Sequence, residues 1–529
     1  MPMLDLLIRN GQVLDGTGSP AIRVDVGIAG DSITEVGDLS SAEARSTIDA
    51  AGKMVCPGFI DAHSHSDGYI LVQPTADSKI CQGITTEITG NCGASAAPLI
   101  GDYRMPSTWR DKPYPGTWNT VAEYRKLVEQ VRPAPNLVFL VGLNSIRAGV
   151  VGYKNRSVTV DDIRAMARQI DQALDEGARG VTSGLIYAPG LFTSQEELME
   201  LSRVAAKSGR LRAAGVAPIY TTHMRSEGKR LLEAIDETIA IAEGAGIRVQ
   251  ISHLKTSGRD NWGLIDRVIE KIRAARDAGV DLSADRYPYT ASDTDLDVIF
   301  PAWAAEGGHQ AVMDRLHDAV TRQRLRQELL ETRPAEYWKA VMVGSTDHPA
   351  NKQFQGNHLV DVASSLRLEP VDAALHLIET DKLKTGAFFF GMNEENMTRI
   401  LAEPYVMLCT DASLRAPAGP LSTDHPHPRA YGSFTRFLRM SLDGKTVPLP
   451  EAIRKMTSLP ARTFSLPDRG KIGRGSKADV VVFDPGSVRD TAWYDKPHQL
   501  STGLDHVIVN GALTWSAGKF TGNRAGRFL

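Results

Sequence analysis

Two histidines that stand two residues apart, His63 and His65, closely follow a short apolar segment. Side chains at alternate positions of a strand point to the same side, so both imidazoles can reach one metal ion. Imidazole nitrogens are frequent zinc ligands, and barrel enzymes place such groups where a strand ends. A bare His-x-His pair also recurs by chance, so the preceding strand is what favours a metal site here.

A cysteine, Cys92, lies in a glycine-bracketed turn after a second apolar segment, residues 84–89. A thiolate binds zinc strongly, and the glycines on either side allow the backbone to approach an ion closely. A free cysteine is more often a small buried apolar side chain. That simpler interpretation is the one we give to the other three cysteines, Cys56, Cys81 and Cys409.

Three more candidate ligands stand at the ends of apolar segments: His223, His253 and Asp411. Each histidine alone could be a core histidine, and Asp411 could cap a helix. His223 and His253 nevertheless occupy equivalent points on successive strands. If the strands form a barrel, both histidines face the same mouth, and Asp411 there can act as ligand and proton carrier.

The middle of the chain alternates apolar strands with amphipathic helices, a pattern typical of parallel βα units. A capping box at Thr193 and Glu196 predicts the start of one such helix, which Gly209 would end. Eight units predict a TIM-type (β/α)8 barrel, although strand count alone leaves an open doubly wound sheet as an alternative. The predicted strands end at Ile60, Thr89, Val141, Leu185, Thr222, Ser252, Ala284 and Thr410.

Both ends of the chain consist of short strands separated by turn residues, which predicts a small β-sandwich domain built from both termini. We place its two parts at residues 1–57 and 465–529, with the α/β barrel over residues 58–464. The stretch from about 295 to 403 is too long for one connection. We therefore interpret it as a segment inserted before strand eight, with helices of its own.

Composition indicates a soluble, intracellular protein. The 529 residues carry a net charge of −3, which gives no reason to expect binding to nucleic acid or an anionic membrane. No apolar run is long enough to span a bilayer. Four cysteines are too few for disulfide bonds to stabilise a chain of this size, which fits a reducing cytoplasm.

The order His-x-His, His, His, Asp along eight βα units resembles the amidohydrolase superfamily. Within it, Cys92 resembles the bridging cysteine of the N-acyl-D-amino-acid deacylases, or D-aminoacylases. Four further segments are similar to motifs of that family: residues 180–190, 252–255, 287–289 and 427–432. This resemblance covers nearly the whole chain and implies a metallo-dependent hydrolase barrel.

The resemblance also implies the metal ligands. One tightly bound zinc would be held by Cys92, His223 and His253. A second, weaker position would be lined by His63, His65 and Asp411, and Asp411 would be the catalytic proton carrier.

The resemblance further implies which residues bind the substrate. Lys255, Tyr287 and Arg429 match positions that hold the substrate carboxylate or polarise the scissile group, and Tyr187 lies in the strand-four motif. The sequence departs from the family at Leu143, where a histidine is usual, and in a longer segment between Asp411 and Arg429. It also departs in an acidic run that is unsuited to an acidic substrate side chain: Asp293, Asp295 and Asp297.

The implied activity is zinc-dependent hydrolysis of small N-acyl-D-amino acids to a carboxylate and a free D-amino acid. An alternative is a hydantoinase-like or dihydropyrimidinase-like enzyme for cyclic amides, or another amidohydrolase acting on an amide that is not an amino acid. Those cyclic-amide enzymes use a carboxylated lysine, and Gly184-Leu185-Ile186-Tyr187 stands where it would lie. A non-catalytic scaffold is the third alternative, and the complete ligand set speaks against it.

Overall fold

The computed structural model describes residues 3–529, so the first two residues of the predicted N-terminal segment lie outside it. Seven strands precede the barrel. β1, β4, β5 and β6 form a four-stranded sheet in the order β5-β4-β1-β6, and β2, β3 and β7 belong to a second sheet. These strands are β1 (Leu4–Arg9), β2 (Gln12–Val13), β3 (Ile22–Arg23), β4 (Asp25–Ala29), β5 (Ser32–Gly37), β6 (Ala44–Asp49) and β7 (Met54–Pro57).

The central barrel begins with strands that pair in parallel with the next strand in the chain, except where one strand is interrupted at Leu140. They are β8 (Phe59–Asp61), β9 (Ile84–Thr89), β10 (Asn136–Phe139), β11 (Val141–Gly142), β12 (Gly180–Gly184), β13 (Ile219–His223), β14 (Arg248–Ile251) and β15 (Leu282–Arg286). The helices between them are α1 (Tyr69–Val72), α2 (Asp77–Ile80), α3 (Val121–Val131), α4 (Leu143–Val150), α5 (Val160–Glu176), α6 (Gln195–Ala206), α7 (Gly209–Ala213), α8 (Leu231–Ala245) and α9 (Ile265–Asp277).

The start and end of α6 differ from the sequence prediction. Its N-cap is Ser194, whose hydroxyl accepts from the backbone N–H of Glu197, and not Thr193. The helix ends at Ala206, and Gly209 begins α7. Two adjacent hydroxyl residues each followed three residues later by glutamate offer the same capping pattern, so the sequence alone could not choose between them.

Residues after β15 form a separate layer with its own apolar core, which includes Leu316, Leu329 and Leu375. An antiparallel sheet in the order β16-β18-β17 anchors this layer beside the barrel mouth. Its elements are β16 (Ser292–Asp295), α10 (Ala302–Ala305), α11 (Gly308–His317), α12 (Ala319–Thr332), α13 (Ala335–Lys339), β17 (Val341–Val343), α14 (Leu359–Leu366), α15 (Pro370–Thr380), β18 (Gly386–Phe389) and α16 (Glu394–Ala402).

The barrel closes with β19 (Val406–Leu408), which pairs in parallel with β15. Backbone hydrogen bonds then join the first and last strands: the Ala62 N–H donates to Leu408 O at 3.4 Å, and the Asp411 N–H donates to His63 O at 2.9 Å. The predicted TIM-type barrel is thus confirmed, and the open doubly wound sheet is not the fold. Three helices follow: α17 (Arg429–Leu442), α18 (Leu449–Met456) and α19 (Ser458–Thr463).

The chain ends in four strands that complete the second sheet of the β domain, in the order β23-β22-β21-β20-β7-β2-β3. β7 and β20 come from opposite ends of the chain and pair antiparallel, with Val55 opposite Val482. Side chains of both sheets, such as Ile28 and Ile508, share one buried core. The last strands are β20 (Val480–Phe483), β21 (Leu504–Val509), β22 (Ala512–Ser516) and β23 (Lys519–Phe520). No helix within residues 3–529 is long and apolar enough to cross a membrane.

Candidate metal centre and active site

The six predicted metal-site residues come together at the carboxyl end of the barrel. They are supplied by the loops after β8, β9, β14 and β19 and by the last residue of β13. Five of them are buried, and His65 keeps about a quarter of its side chain exposed (23%). The six residues are His63, His65, Cys92, His223, His253 and Asp411.

The Cys92 thiol lies at the centre of this cluster. Its Sγ is 3.4 Å from His253 Nε2, 3.8 Å from His223 Nδ1 and 3.3 Å from His63 Nε2. Ligands of one tetrahedral zinc, with bonds of about 2.3 Å to sulfur and about 2.0 Å to nitrogen, stand about 3.6 Å apart. The donor atoms therefore have the types and spacing that zinc requires, with the sulfur between two groups of nitrogens.

A second group of donors meets on the other side of Cys92. His63 Nε2 and His65 Nε2 are 3.3 Å apart, and Asp411 Oδ1 is 3.4 Å from the first and 3.2 Å from the second. Cys92 and His253 also lie within reach of Asp411, because the donor atoms of His63, Cys92, His253 and Asp411 are all within 4.8 Å of one another. The arrangement can hold two adjacent ions that share the thiolate.

Three of the six candidate ligands lie on strained backbone. Cys92, His253 and Asp411 have φ values of 53°, 37° and 49°, in the left-handed region that non-glycine residues rarely adopt. Hydrogen bonds hold the strained peptides in place, since the His253 N–H donates to Asp285 Oδ1 at 2.8 Å. Such strain persists where the surrounding structure over-determines a functional geometry.

Charge in the site favours the ionised forms of its acids. Burial raises the pKa of the Cys92 thiol, but the nearby His63 and His253 outweigh it and hold that pKa well below its usual range. Burial likewise raises the pKa of Asp411, and Arg429, with Nη1 2.8 Å from Oδ2, outweighs it and holds this pKa well below its usual range. The site thus presents a thiolate and a carboxylate to a cation.

Two carboxylates that the sequence analysis missed orient the histidines. Glu227 Oε1 is 2.8 Å from His253 Nδ1, and Asp285 Oδ2 is 3.4 Å from His63 Nδ1. Carboxylates behind metal-binding histidines fix the tautomer and the ring orientation. The four-residue spacing of Glu227 from His223 is a signal that could have found it, whereas Asp285 is simply one polar residue in a buried strand.

The predicted substrate-binding residues surround this cluster. Lys255 is buried between Glu227, which it contacts, and His253 Nδ1 at 2.7 Å. Tyr287 lies with its ring centre 5.9 Å from Lys255 Nζ and 4.8 Å from the Arg429 guanidinium. Its buried hydroxyl has no hydrogen-bond partner within residues 3–529, which leaves it free to donate to a ligand.

The other two predicted substrate residues also contact the cluster. The Tyr187 ring packs edge-on against His223, with centroids 5.2 Å apart. Arg429 reaches Asp411 in spite of the long preceding segment, and its Nη2 donates to the backbone oxygen of Asp293 at 3.1 Å. Arg429 is therefore already engaged by protein groups, and binding of a substrate carboxylate has to share this guanidinium.

The acidic run lies along the mouth of the site on and beside β16. Thr294 Oγ1 is 3.1 Å from the Tyr187 hydroxyl, which holds this strand close to the metal donors. Burial raises the pKa of Asp295 to about 8, and those of Asp293 and Asp297 to about 6. Leu143, the other departure from the family, is buried at the start of α4.

The fold and the site together define a class of protein, and comparison with known sequences identifies it. A model described as "Amidohydrolase family" matches residues 46–515. The chain belongs to this amidohydrolase family. The particular relatives it resembles are deacylases of N-acyl-D-amino acids. An N-acyl-D-glutamate deacylase of Alcaligenes xylosoxydans xylosoxydans is 36% identical over 99% of this chain and 96% of the relative.

Two further comparisons agree. A D-aminoacylase of Alcaligenes xylosoxydans xylosoxydans is 34% identical over 99% of this chain and 97% of the relative. The crystal structure of an N-acyl-D-glutamate deacylase from Bordetella bronchiseptica, complexed with zinc and a phosphonate mimic of the tetrahedral intermediate, superposes with a TM-score of 0.82. It is 32% identical, with 100% of this chain and 99% of the other covered.

Proposed function

We propose that this protein hydrolyses the amide bond of N-acyl-D-amino acids with zinc as its cofactor, releasing a carboxylate and a free D-amino acid. The observation that carries the proposal is the buried donor cluster around Cys92, in a chain that shares over 30% of its residues with deacylases along its whole length. Cys92, His223 and His253 would hold the tightly bound zinc. His63, His65 and Asp411 would line a second, weaker position.

Zinc bound there supplies Lewis acidity and makes water a nucleophile at neutral pH. Asp411 takes the proton of the attacking water, since its Oδ1 faces the histidines while Arg429 holds its Oδ2. Asp411 then delivers the proton to the departing amine nitrogen, which cannot leave as an anion. The free hydroxyl of Tyr287 is placed to donate to the oxygen on which negative charge develops.

The two alternatives fit the structure less well. A cyclic-amide hydrolase of the hydantoinase type needs a lysine after strand four, and β12 is followed there by Leu185. A non-catalytic scaffold would not need to maintain three ligands in strained left-handed conformations. A cytoplasmic location stays a prediction; its support is that all four cysteines are free and buried.

The direct test is amine release from matched N-acetyl-D-methionine and N-acetyl-L-methionine. We expect the zinc-loaded protein to cleave the D form at least about a hundredfold faster, and a chelator to abolish the reaction because the thiolate and histidine donors then lose their ion. Zinc returned to the chelated protein restores activity. Equal cleavage of both enantiomers, or chelator-resistant cleavage, would contradict the proposal.

We also expect a preference against acidic side chains. A glutamate side chain near β16 meets the partly buried carboxyl groups of Asp293, Asp295 and Asp297, while the nearby Arg429 is occupied by Asp411. At neutral pH Asp293 and Asp297, with pKa values of about 6, are largely ionised, whereas Asp295, with a pKa of about 8, is largely neutral. A further carboxylate brought beside the two ionised groups is repelled by their like charge. The kcat/KM for N-acetyl-D-glutamate should therefore be at least about tenfold below that for N-acetyl-D-methionine.

The matched variant for this preference is Asp293→Asn, which removes one carboxyl group at the mouth and keeps the size of the side chain. It should raise kcat/KM for N-acetyl-D-glutamate and so reduce the difference in kcat/KM between the two substrates. A wild-type protein that prefers the glutamate substrate would show that the acidic run does not face the substrate side chain.

A further inference from the structure

A buried charge cluster lies directly beneath the site and takes no part in the chemistry proposed above. It consists of one ammonium, Lys79 on α2, and two carboxylates, Asp61 on β8 and Glu87 on β9. All three side chains are fully buried. Lys79 Nζ is 2.8 Å from Asp61 Oδ2 and 3.2 Å from Glu87 Oε2. We name these three residues the Lys79 cluster.

The cluster lies where the barrel has its weakest backbone pairing. The barrel strands form two hydrogen-bonded ladders, one from β8 to β10 and one from β11 to β19, so β8 and β19 share no regular ladder within the described chain. They meet only through scattered contacts and one bridge between Ser64 and Ala412. The loops after these two strands carry three donors of the proposed second metal position: His63, His65 and Asp411.

In the loop after β19, the Lys79 cluster hydrogen-bonds to the two residues that flank Asp411. Lys79 Nζ donates to Thr410 Oγ1 at 2.7 Å and to Ala412 O at 2.9 Å. The Thr410 hydroxyl donates in turn to Asp61 Oδ2 at 2.6 Å, and its N–H donates to Asp61 Oδ1 at 2.8 Å. Asp411 itself is held between these anchors in its left-handed conformation.

In the loop after β8, the Lys79 cluster hydrogen-bonds to the two residues that flank His65. Glu87 Oε2 accepts from Ser64 Oγ at 2.5 Å and from Ser66 Oγ at 2.6 Å. Lys79 Nζ is also 3.3 Å from Ser64 Oγ. One ammonium thus connects both loops, and hydrogen bonds between charged groups in a buried site are stronger than neutral ones.

We propose that Lys79 is a positioning residue that sets the separation of Asp411 from the His63–His65 pair, and so controls the second metal position and the proton transfer by Asp411. Its side chain is fully buried and hydrogen-bonds to none of the six candidate donors within the described chain, so it acts through Thr410 and Ser64. Cys92 follows β9, the strand that carries Glu87, but within the described chain none of Cys92, His223 and His253 shares a hydrogen bond with the Lys79 cluster. We therefore expect the zinc position that these three residues form to be independent of the cluster. The catalytic part of this inference rests on the proposed function, whereas the metal-binding part does not.

The test compares Thr410→Val with Thr410→Ser. Valine keeps the shape of the side chain but removes the hydroxyl by which Thr410 is hydrogen-bonded to both Lys79 and Asp61, and serine keeps that hydroxyl. Zinc is titrated into metal-free protein against a chromophoric chelator, and turnover is measured with N-acetyl-D-methionine. Partners behind metal ligands are typically worth about 10- to 100-fold in affinity or activity.

We expect Thr410→Val to bind the first zinc as the wild type does and to bind the second about 10- to 100-fold more weakly. Its kcat should fall by a similar factor with KM within about twofold, and Thr410→Ser should restore both. Lys79→Met should change the same two quantities in the same direction. Zinc binding decides the result without substrate, so a wild-type protein that cleaves no amide contradicts the proposed function alone.

Three outcomes would overturn the inference. The first is a Thr410→Val protein with the wild-type affinity for second zinc. The second is a wild-type protein that binds only one zinc. The third is a parallel loss of both zinc affinities and of the melting temperature in Thr410→Val, which a merely structural role of the cluster would produce.

Discussion

An Asp411→Asn protein is expected to keep its tightly bound zinc and to lose about 10³-fold in kcat on N-acetyl-D-methionine. Asparagine preserves the shape of the side chain and an oxygen near His63 and His65, but its amide cannot accept the proton of the attacking water at neutral pH. General acid–base groups contribute about 10² to 10⁴ in rate, and Asp411 is the group proposed to act in both directions. Zinc content after gel filtration and steady-state turnover measure the two effects separately.

The control for this variant is Asp490→Asn. Asp490 is also a largely buried carboxylate, it pairs with Arg436 at 3.3 Å, and it contributes no atom to the donor cluster. Its replacement should leave kcat within about threefold of the wild type, so that a large loss in Asp411→Asn cannot be attributed to the removal of any buried negative charge. Near-normal turnover in Asp411→Asn would remove Asp411 from the proton transfer.

Much of the site could be predicted from sequence because its ligands follow a local rule. Each donor stands at or just after the end of an apolar strand, and parallel strands present those ends at one edge. His223 and His253 illustrate this, since either alone is indistinguishable from a core histidine. The pair is recognisable because His223 ends β13 and His253 closely follows the end of the adjacent strand β14. The structure places both histidines beside Cys92.

The residues that support the ligands could not be predicted in the same way. Lys79 hydrogen-bonds to Thr410, which lies 331 positions away in the sequence, and Asp285 contacts His63, which lies 222 positions away. No local sequence pattern therefore connects these partners. A lysine in a short helix and an aspartate in a strand each have an ordinary local explanation. Only the folded barrel shows that Lys79 is fully buried between two loops that carry metal donors.

The engagement of Arg429 is another feature that depends on tertiary structure. The resemblance places it against the substrate carboxylate, and the long segment before it could have moved it away. In the structure its guanidinium lies against Asp411, Asp293 and the face of Tyr287. Arg429 therefore contacts both the proton-carrying carboxylate of Asp411 and the acidic run at the mouth of the site. The ionisation of Asp293 can thus influence the pKa of Asp411 through the Arg429 guanidinium.

A Cys92→Ala protein is expected to lose tightly bound zinc. Cys92 Sγ lies within 3.8 Å of nitrogens from His63, His223 and His253. Its removal takes a thiolate away from the proposed tight position and a bridging atom away from the second. Zinc content should fall from about one ion per chain or more to below about 0.1 after dialysis against a weak chelator, since thiolate ligands supply much of the affinity of such sites.

The matched control for Cys92→Ala is Cys81→Ala. Cys81 is also fully buried, but burial raises the pKa of its thiol to about 12, and it packs in a different apolar core. This variant should keep its zinc and its turnover while losing a little stability to a small cavity, on the order of 1 kcal/mol. If Cys92→Ala retains zinc as well as Cys81→Ala does, the thiolate is not a ligand, and the tight position must be formed by the histidines and Asp411 instead.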